Sequence, residues 1–378
     1  MNMMKVSRES CFDAASVVPG VPSGFAQPVV SDGLTVLPAG GDAPWLAPLA
    51  GFTDLAFRLL CREFGARVVC SEMVSAKGLV YRSPGTHALL ETCPQDAPMV
   101  LQLFGNEVPI MDAAMRELVD KGYRWFDLNM GCSVRKVVKT GCGAGMLRDV
   151  PNAVRVARAM TAVAGAGRVG FKFRLGWEQG AQVCMDLARR LEDAGAGWLT
   201  LHPRFARQGF SGTADWDALA RLKEHVTIPV IASGDLFTAG DAVRCMRASG
   251  VDGVMFARGA LANPAVFEDF SAMMSGGEQP QPDPERTVRI IRRHVALARA
   301  LCADKTALFK MRTFVPRYVR QFPGARALRN HLASCLTWEG LDHLLDTFFE
   351  RWRAQGAPML DDGACRVQTA PAGDDQCM

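Results

Sequence analysis

WFDLNMGCSVRKVVKTGCGAGMLR, residues 125–148, reads as a buried strand that ends where chemistry can be done. Trp125 to Asn129 has strand character, and Asn129 and the pair Gly131-Cys132 then open a Gly-rich loop ahead of the next helix. Gly131, Gly141, Gly143 and Gly145 permit backbone approaches that a Cβ would obstruct, while Arg135, Lys136 and Lys139 make the loop basic. The pattern predicts a reactive cysteine, Cys132, facing an anionic substrate.

Working outward, the same unit recurs: a short apolar strand, a polar or Gly-containing end, then helical periodicity. Strands are expected at Trp45–Leu49, Arg67–Ser71, Met99–Phe104, Trp125–Asn129, Val169–Arg174, Trp198–His202, Pro229–Ala232 and Gly253–Ala257. Helices are expected between them, among them Asp54–Phe64, Pro109–Lys121, Pro151–Val163, Ala181–Ala194 and Ala239–Ser249. Eight alternating units argue for parallel pairing and a closed (β/α)8 TIM barrel, an α/β fold. Glu72, Gln102, Asn129, Lys172 with Arg174, His202, Asp235 and Arg258 all fall at strand ends. In such a barrel those positions converge on one C-terminal mouth.

The flanks differ. Residues 1–42 are rich in Pro, Gly, Ser and Ala, with short apolar runs such as Leu34–Leu37, and read as an irregular N-terminal arm ending in a small hairpin; residues 43–274 hold the barrel. A Pro-rich linker, 275–284, leads to a small all-helical domain over 285–356, with helices expected at Pro284–Leu301, Lys305–Phe322, Ala325–Ser334 and Trp338–Arg353. Residues 357–378 read as a disordered tail. The net charge of +4 is uneven: residues 283–356 hold 14 Lys and Arg against 7 Asp and Glu, and the span Lys305–Arg329 has seven basic residues and no acidic one. That composition suits a polyanionic partner. No window is apolar for the 18 or so residues a membrane helix needs, so a cytoplasmic protein without a membrane partner is expected. Twelve scattered cysteines without a C-x-x-C pair argue against a disulfide framework, and neither cysteines nor histidines show zinc-ligand spacing, so no metal is expected.

Lys172 and Arg174 alternate with Phe171, Phe173 and Leu175, so both cations point to one side of their strand. If that side is the barrel interior, each needs an anion; a reduced flavin would meet the need, and ion pairs with Glu72 or another rim carboxylate are the plainer alternative. Ser233-Gly234-Asp235 after the seventh strand and Arg258-Gly259 after the eighth occupy the places where this fold commonly holds a phosphate. Cys132, near Arg135 and Lys136, is expected to be reachable and unusually acidic, with Cys142 its rival on the same loop.

These segments resemble the ordered motifs of the tRNA-dihydrouridine synthases: LAPLAGFTDLAFR at 46–58, SEM at 71–73, VLQLFG at 100–105, DLNMGCS at 127–133, GCGAGMLRD at 141–149, FKFRLGW at 171–177, LHPR at 201–204, PVIASGD at 229–235 and ARGALANP at 257–264. The resemblance spans about 45–350. It implies an FMN enzyme that takes hydride from NADPH and reduces the C5–C6 double bond of particular uridines in tRNA. Leu49, Ala50 and Gly51 would line the flavin ring, Gln102 would bond its edge, and Lys172 would stabilise its reduced form. Ser233, Gly234, Asp235, Ala257 and Arg258 would complete the cofactor site and its phosphate end, with His202 at its border. Cys132 would be the general acid toward C5, and Asn129, Arg174 and His202 would orient the uracil. Lys310, Arg312, Arg317 and Arg320 would meet tRNA phosphates. A monomer is expected. The chain departs from the family pattern at Ser133, Pro203, Ser233 and Ala257, where Pro, Gly, Asn and Gly are usual. Two other readings compete: a flavin barrel acting on a free pyrimidine or small enone, and an RNA-binding protein on a decayed flavin barrel.

Overall fold

The computed structural model describes residues 34–301 and 305–356. The arm over 1–33, the tail over 357–378 and residues 302–304 lie outside the described residues. Nine parallel strands make one sheet: β1 (Trp45–Leu46), β2 (Val68–Cys70), β3 (Val74–Ser75), β4 (Met99–Phe104), β5 (Trp125–Met130), β6 (Val169–Arg174), β7 (Trp198–His202), β8 (Val230–Ala232) and β9 (Gly253–Phe256). β1 pairs with both β2 and β9, and β2 also pairs with β4, so the sheet closes on itself. The two-residue β3 pairs with the far end of β4 on the side that β2 occupies lower down, so β2 and β3 form one stave and the ring has the eight staves expected for a TIM barrel.

The first stave is shorter than expected. Pro48 has no N–H to give a ladder, and the chain turns at once, with Phe52 and Thr53 donating to the Leu49 carbonyl at 2.9 and 3.0 Å. The helix expected from Ala181 begins at Cys184, because Gln182 bridges back to Gly176. Helix Trp216–His225, capped by Asp215, is not among those named from the sequence.

The floor of the barrel is aromatic. Trp45, Trp125 and Trp198 pack with Val68, Cys70, Val100, Ile231 and Met255, and the Trp45 and Trp198 rings lie 5.5 Å apart. Gly170 makes room for this layer: a Cβ there would lie 1.9 Å from Trp198 Cε2. No strand or hairpin forms at residues 34–42. Instead Leu37 and Ala39 join the floor cluster, and the Trp45 indole donates to Pro38 O at 2.9 Å, so the end of the arm plugs the N-terminal face. Burial of its apolar residues outweighs what an isolated two-strand ribbon could gain.

The helical segments beyond residue 283 run Pro284–Leu301, Lys305–Tyr318, Ala325–Ala333 and Trp338–Gln355. They share one continuous apolar core with the barrel's outer helices. Arg293 bonds Glu63 and Arg286 bonds Asp269, at 2.6 and 2.7 Å. Phe314 packs on Phe57 with ring centroids 5.0 Å apart.

Candidate active site at the barrel mouth

Register places the inward polar residues in rising layers. Gln102 lies opposite Asp127, Asn129 opposite Lys172, and Arg174 opposite His202. Side chains paired in register share a face, so these residues converge on one mouth.

Asn129 ties the layers together. Its Oδ1 accepts from the Gly131 and Cys132 N–H groups at 3.1 and 2.9 Å, and its Nδ2 donates to Gln102 Oε1 at 2.8 Å. Gln102 Nε2 then donates to Asp127 Oδ2 at 2.6 Å. The Gln102 amide, expected to meet a flavin edge, is fully buried and directed into this protein network. Asp127 itself is not among the residues picked from the sequence; its signal was the i, i+2 spacing to Asn129 on an inward-facing strand.

Lys172 Nζ donates to Ser233 Oγ at 3.3 Å, which gives the Ser233 departure a partner. Burial pulls Lys172 down to about 8 even though Asp127 works in the opposite sense. Burial likewise pushes Asp127 up to about 7, against the Gln102 hydrogen bond and the Lys172 charge, and its Oδ1 has no partner among the described residues. Glu72 does not pair with Lys172: it accepts from the Gly51 N–H at 2.5 Å and faces Lys310.

Arg174 is mostly spent on backbone. Its Nε donates to Gly131 O at 2.9 Å, and its Nη1 to Phe205 O and Gly209 O at 3.1 and 2.8 Å. The guanidinium therefore pins the Cys132 loop to the loop after β7, leaving Nη2 for a ligand. Cys132 is partly accessible. Its expected acidity is not found: burial pushes the thiol up, against the Val134 N–H and the Arg174 charge, and Arg135 and Lys136 are too solvent-exposed to counter it. The thiol is thus protonated at neutral pH. The rival Cys142 is buried and directed to Asn106 Oδ1 at 3.4 Å.

At β8 and β9 the decisive side chain is one that sequence reasoning missed, Arg204. Fully buried, it holds Asp235 with two bonds of 2.9 and 2.7 Å. Its Nη1 also lies 3.3 Å from His202 Nε2. A guanidinium only donates, so Nε2 is the lone-pair nitrogen and the imidazole proton sits on Nδ1. Burial and the charges of Arg174, Lys172, Arg204 and Arg258 keep His202 neutral. Asp235 is also bonded by Arg258 at 3.1 Å and by the Ala214 N–H at 2.8 Å. Burial pushes Asp235 up, but the Arg204 and Ala214 bonds outweigh it and the carboxyl lies below its ordinary value. The Asp235 carboxylate orients the two arginines. Gly234, at φ 110°, brings bare backbone against His202: a Cβ would lie 2.7 Å from its Cδ2. Ala257, at φ −118°, needs no glycine. Arg258 lies between the exposed Phe210 and Phe237 rings, 4.8 and 4.6 Å from their centroids.

Two features fit a bound anionic cofactor. Among the described residues Lys172 hydrogen-bonds a hydroxyl, and the charge that opposes its burial comes from Asp127, a carboxyl itself pushed toward neutrality. Arg258, bonded to Asp235 directly after Gly234, supplies positive charge for a phosphate. Among the described residues no cluster of three metal-ligating side chains occurs, and no helix is long and apolar enough to cross a membrane.

The cations expected to meet RNA are not all unopposed. Lys310 bonds Asp54 at 2.9 Å, Arg312 bonds Ala333 O and Cys335 O, and Arg317 bonds Thr313 O and lies over the Phe52 ring. Folding brought to Lys310 and Arg312 a carboxylate and helix-end carbonyls that lie far away in sequence, while Arg317 turns to its own helix.

The family model described as "Dihydrouridine synthase (Dus)" matches residues 45–352. The "Probable tRNA-dihydrouridine synthase" of Mycobacterium tuberculosis is 39% identical over 315 residues, 80% of each chain. The "tRNA-dihydrouridine synthase B" of Pseudomonas putida is 31% identical over 287 residues, 75% of this chain and 84% of that one. A solved structure of morphinone reductase in complex with tetrahydroNAD superposes with a TM-score of 0.43 at 14% identity, covering 64% of this chain and 89% of that one. With the family match spanning both the barrel and the helices that follow it, the chain belongs to the dihydrouridine synthase family.

Proposed function

We propose that this protein is a tRNA-dihydrouridine synthase, an oxidoreductase of the cytoplasm that reduces the C5–C6 double bond of specific uridines in tRNA with FMN and NADPH. The observation that carries the reading is the Cys132 loop: a protonated, reachable thiol held by Asn129 and Arg174 on the same mouth as Lys172. A proton donor beside a buried cation with no full counter-ion is what reduction of an electron-poor ring requires.

Leu49, Ala50 and Gly51 would border the cofactor ring, Lys172 would face its anionic edge, and Gly234, Ala257 and Arg258 would take its phosphate. When bound, FMN supplies the hydride relay between NADPH and C6 of the uracil. Cys132 Sγ holds the proton that goes to C5; Arg174 steadies the thiolate left behind, and water returns a proton to it. The Arg174 Nη2 and the His202 Nδ1–H would donate to the uracil carbonyls, and Asn129, whose own amide is engaged by Gly131, Cys132, Gln102 and Met73, would position the base by holding the Cys132 loop. The target base leaves its stack to reach this depth, at roughly a few kcal/mol. Residues 285–356 would contribute to that docking through exposed cations.

The test is position-resolved mapping of dihydrouridine in tRNA from cells lacking the protein, with single-turnover assays of variants. Cys132→Ala should keep its flavin and oxidise NADPH yet lose at least about a hundredfold in dihydrouridine formation. In the parent, that step should be flat through neutral pH and fall only above the usual thiol value of 9.0, because the acid must stay protonated. Unchanged tRNA in the deletion strain, or normal product from Cys132→Ala with loss in Cys142→Ala, would overturn the assignment.

A further inference from the structure

We infer that Lys310 is a positioning residue that fixes the loop carrying Leu49, Ala50 and Gly51 and thereby couples the helical domain to the barrel mouth. One face of helix Lys305–Tyr318 grips that loop at i, i+4 and i+7. Lys310 Nζ bonds Asp54 Oδ2 at 2.9 Å and lies 3.7 Å from Glu72 Oε1. Glu72 uses its other oxygen, Oε2, to accept from the Gly51 N–H at 2.5 Å. Phe314 packs edge-on against Phe52 at 5.4 Å, and the Arg317 guanidinium sits 4.6 Å from the centre of the same ring. Asp54 in turn caps helix Leu55–Glu63 through the Phe57 N–H at 3.0 Å.

The chain of contacts runs helix, Lys310, Glu72, Gly51. Gly51 has φ 80°, in the left-handed region, so its loop needs outside support to hold one shape. Glu72 supplies the support, and Lys310 both orients Glu72 and balances its charge. Any shift of the helical domain on binding a polyanion therefore reaches the loop expected to border the cofactor. By linkage, cofactor binding alters affinity for the polyanion by the same factor. The coupling to cofactor rests on the flavin reading above; the Lys310–Glu72–Gly51 linkage does not.

The experiment compares the full-length parent with Lys310→Met, Lys310→Arg, Glu72→Ala and the double variant Lys310→Met/Glu72→Ala. Hydrogen exchange at the Gly51 amide is read without flavin; FMN affinity is read by flavin fluorescence, and tRNA affinity at several salt concentrations. Lys310→Met should speed Gly51 exchange roughly tenfold and weaken FMN by a similar factor, while tRNA affinity without flavin changes by less than about twofold. Lys310→Arg should restore both readouts, and the double variant should be no worse than Glu72→Ala alone. Unaltered Gly51 protection in both Lys310→Met and Glu72→Ala would overturn the linkage. So would a tenfold loss of tRNA affinity with a shallower salt slope and normal FMN binding, which would make Lys310 a phosphate contact. Should Lys310→Met not fold, Glu72→Ala decides: normal Gly51 protection there refutes the linkage, and faster exchange with weaker FMN supports it. A parent that binds no FMN defeats the flavin reading instead, and the amide exchange still decides the linkage.

Discussion

Asp127 and Lys172 share the interior of the barrel, and each is drawn toward its neutral form, to about 7 and about 8. For Asp127 the folded value stands above the ordinary 3.8, so the fold favours the protonated carboxyl. Its contribution to stability is complete below the ordinary value and is lost as pH rises through about 7. Asp127→Asn, which cannot ionise, should therefore gain stability relative to the parent between pH 5 and 8, by on the order of a few kcal/mol at the upper end. Urea unfolding of the two proteins without flavin across that range checks it; a constant difference between them would show that Asp127 is not held above its ordinary value. The residue scale also shows how much of Gln102 was legible in advance. An amide at a strand end is legible as polar and inward, but its partners, Asp127 and Asn129, come from the next strand and are set by register.

At the scale of elements, β6 carries two separate duties. Its lower end must be small at Gly170 to admit the Trp198 ring, while its upper end presents Lys172 and Arg174 to the mouth. Gly170→Ala forces a Cβ within 1.9 Å of that ring, so it should lower stability by about 3 kcal/mol, and Trp198→Phe in the same chain should recover part of the loss. Thermal unfolding of the single and double variants measures this. The alternation of cations with Phe171 and Phe173 made the upper duty readable in advance. The lower one was not, since nothing local says which neighbour's side chain lies over a glycine. Arg204 escaped notice for a similar reason: it stands two residues beyond His202 in a loop, and only the pairing of β7 with β8 brings Asp235 against it.

Taken whole, the molecule redistributes its charge. Of the seven basic residues between Lys305 and Arg329, Lys310, Arg312 and Arg317 are held by carboxylates or carbonyls of the described residues. Arg326 and Arg329 instead stand exposed, one turn apart on helix Ala325–Ala333, with no ion pair among the described residues. Their joint replacement by Ala should weaken tRNA binding and lower the slope of log affinity against log salt by about one per cation, leaving the melting temperature unchanged. Arg312→Ala should do the reverse, costing about 1–2 kcal/mol of stability because two helix-end carbonyls lose their donor. Filter binding across a salt series, paired with melting curves, separates the two classes.

The sequence by itself determined the strand and helix alternation, the eight staves and the cysteine at the end of one of them. Those depend on periodicity and on short-range backbone preference, which each segment carries within itself. Only the tertiary structure decided which cations stay available, that the Cys132 thiol stays protonated, and that Lys310 turns toward Glu72 and the Gly51 loop. Burial and charge pairing depend on groups far apart in the chain, and the energy of a charge is set by what surrounds it.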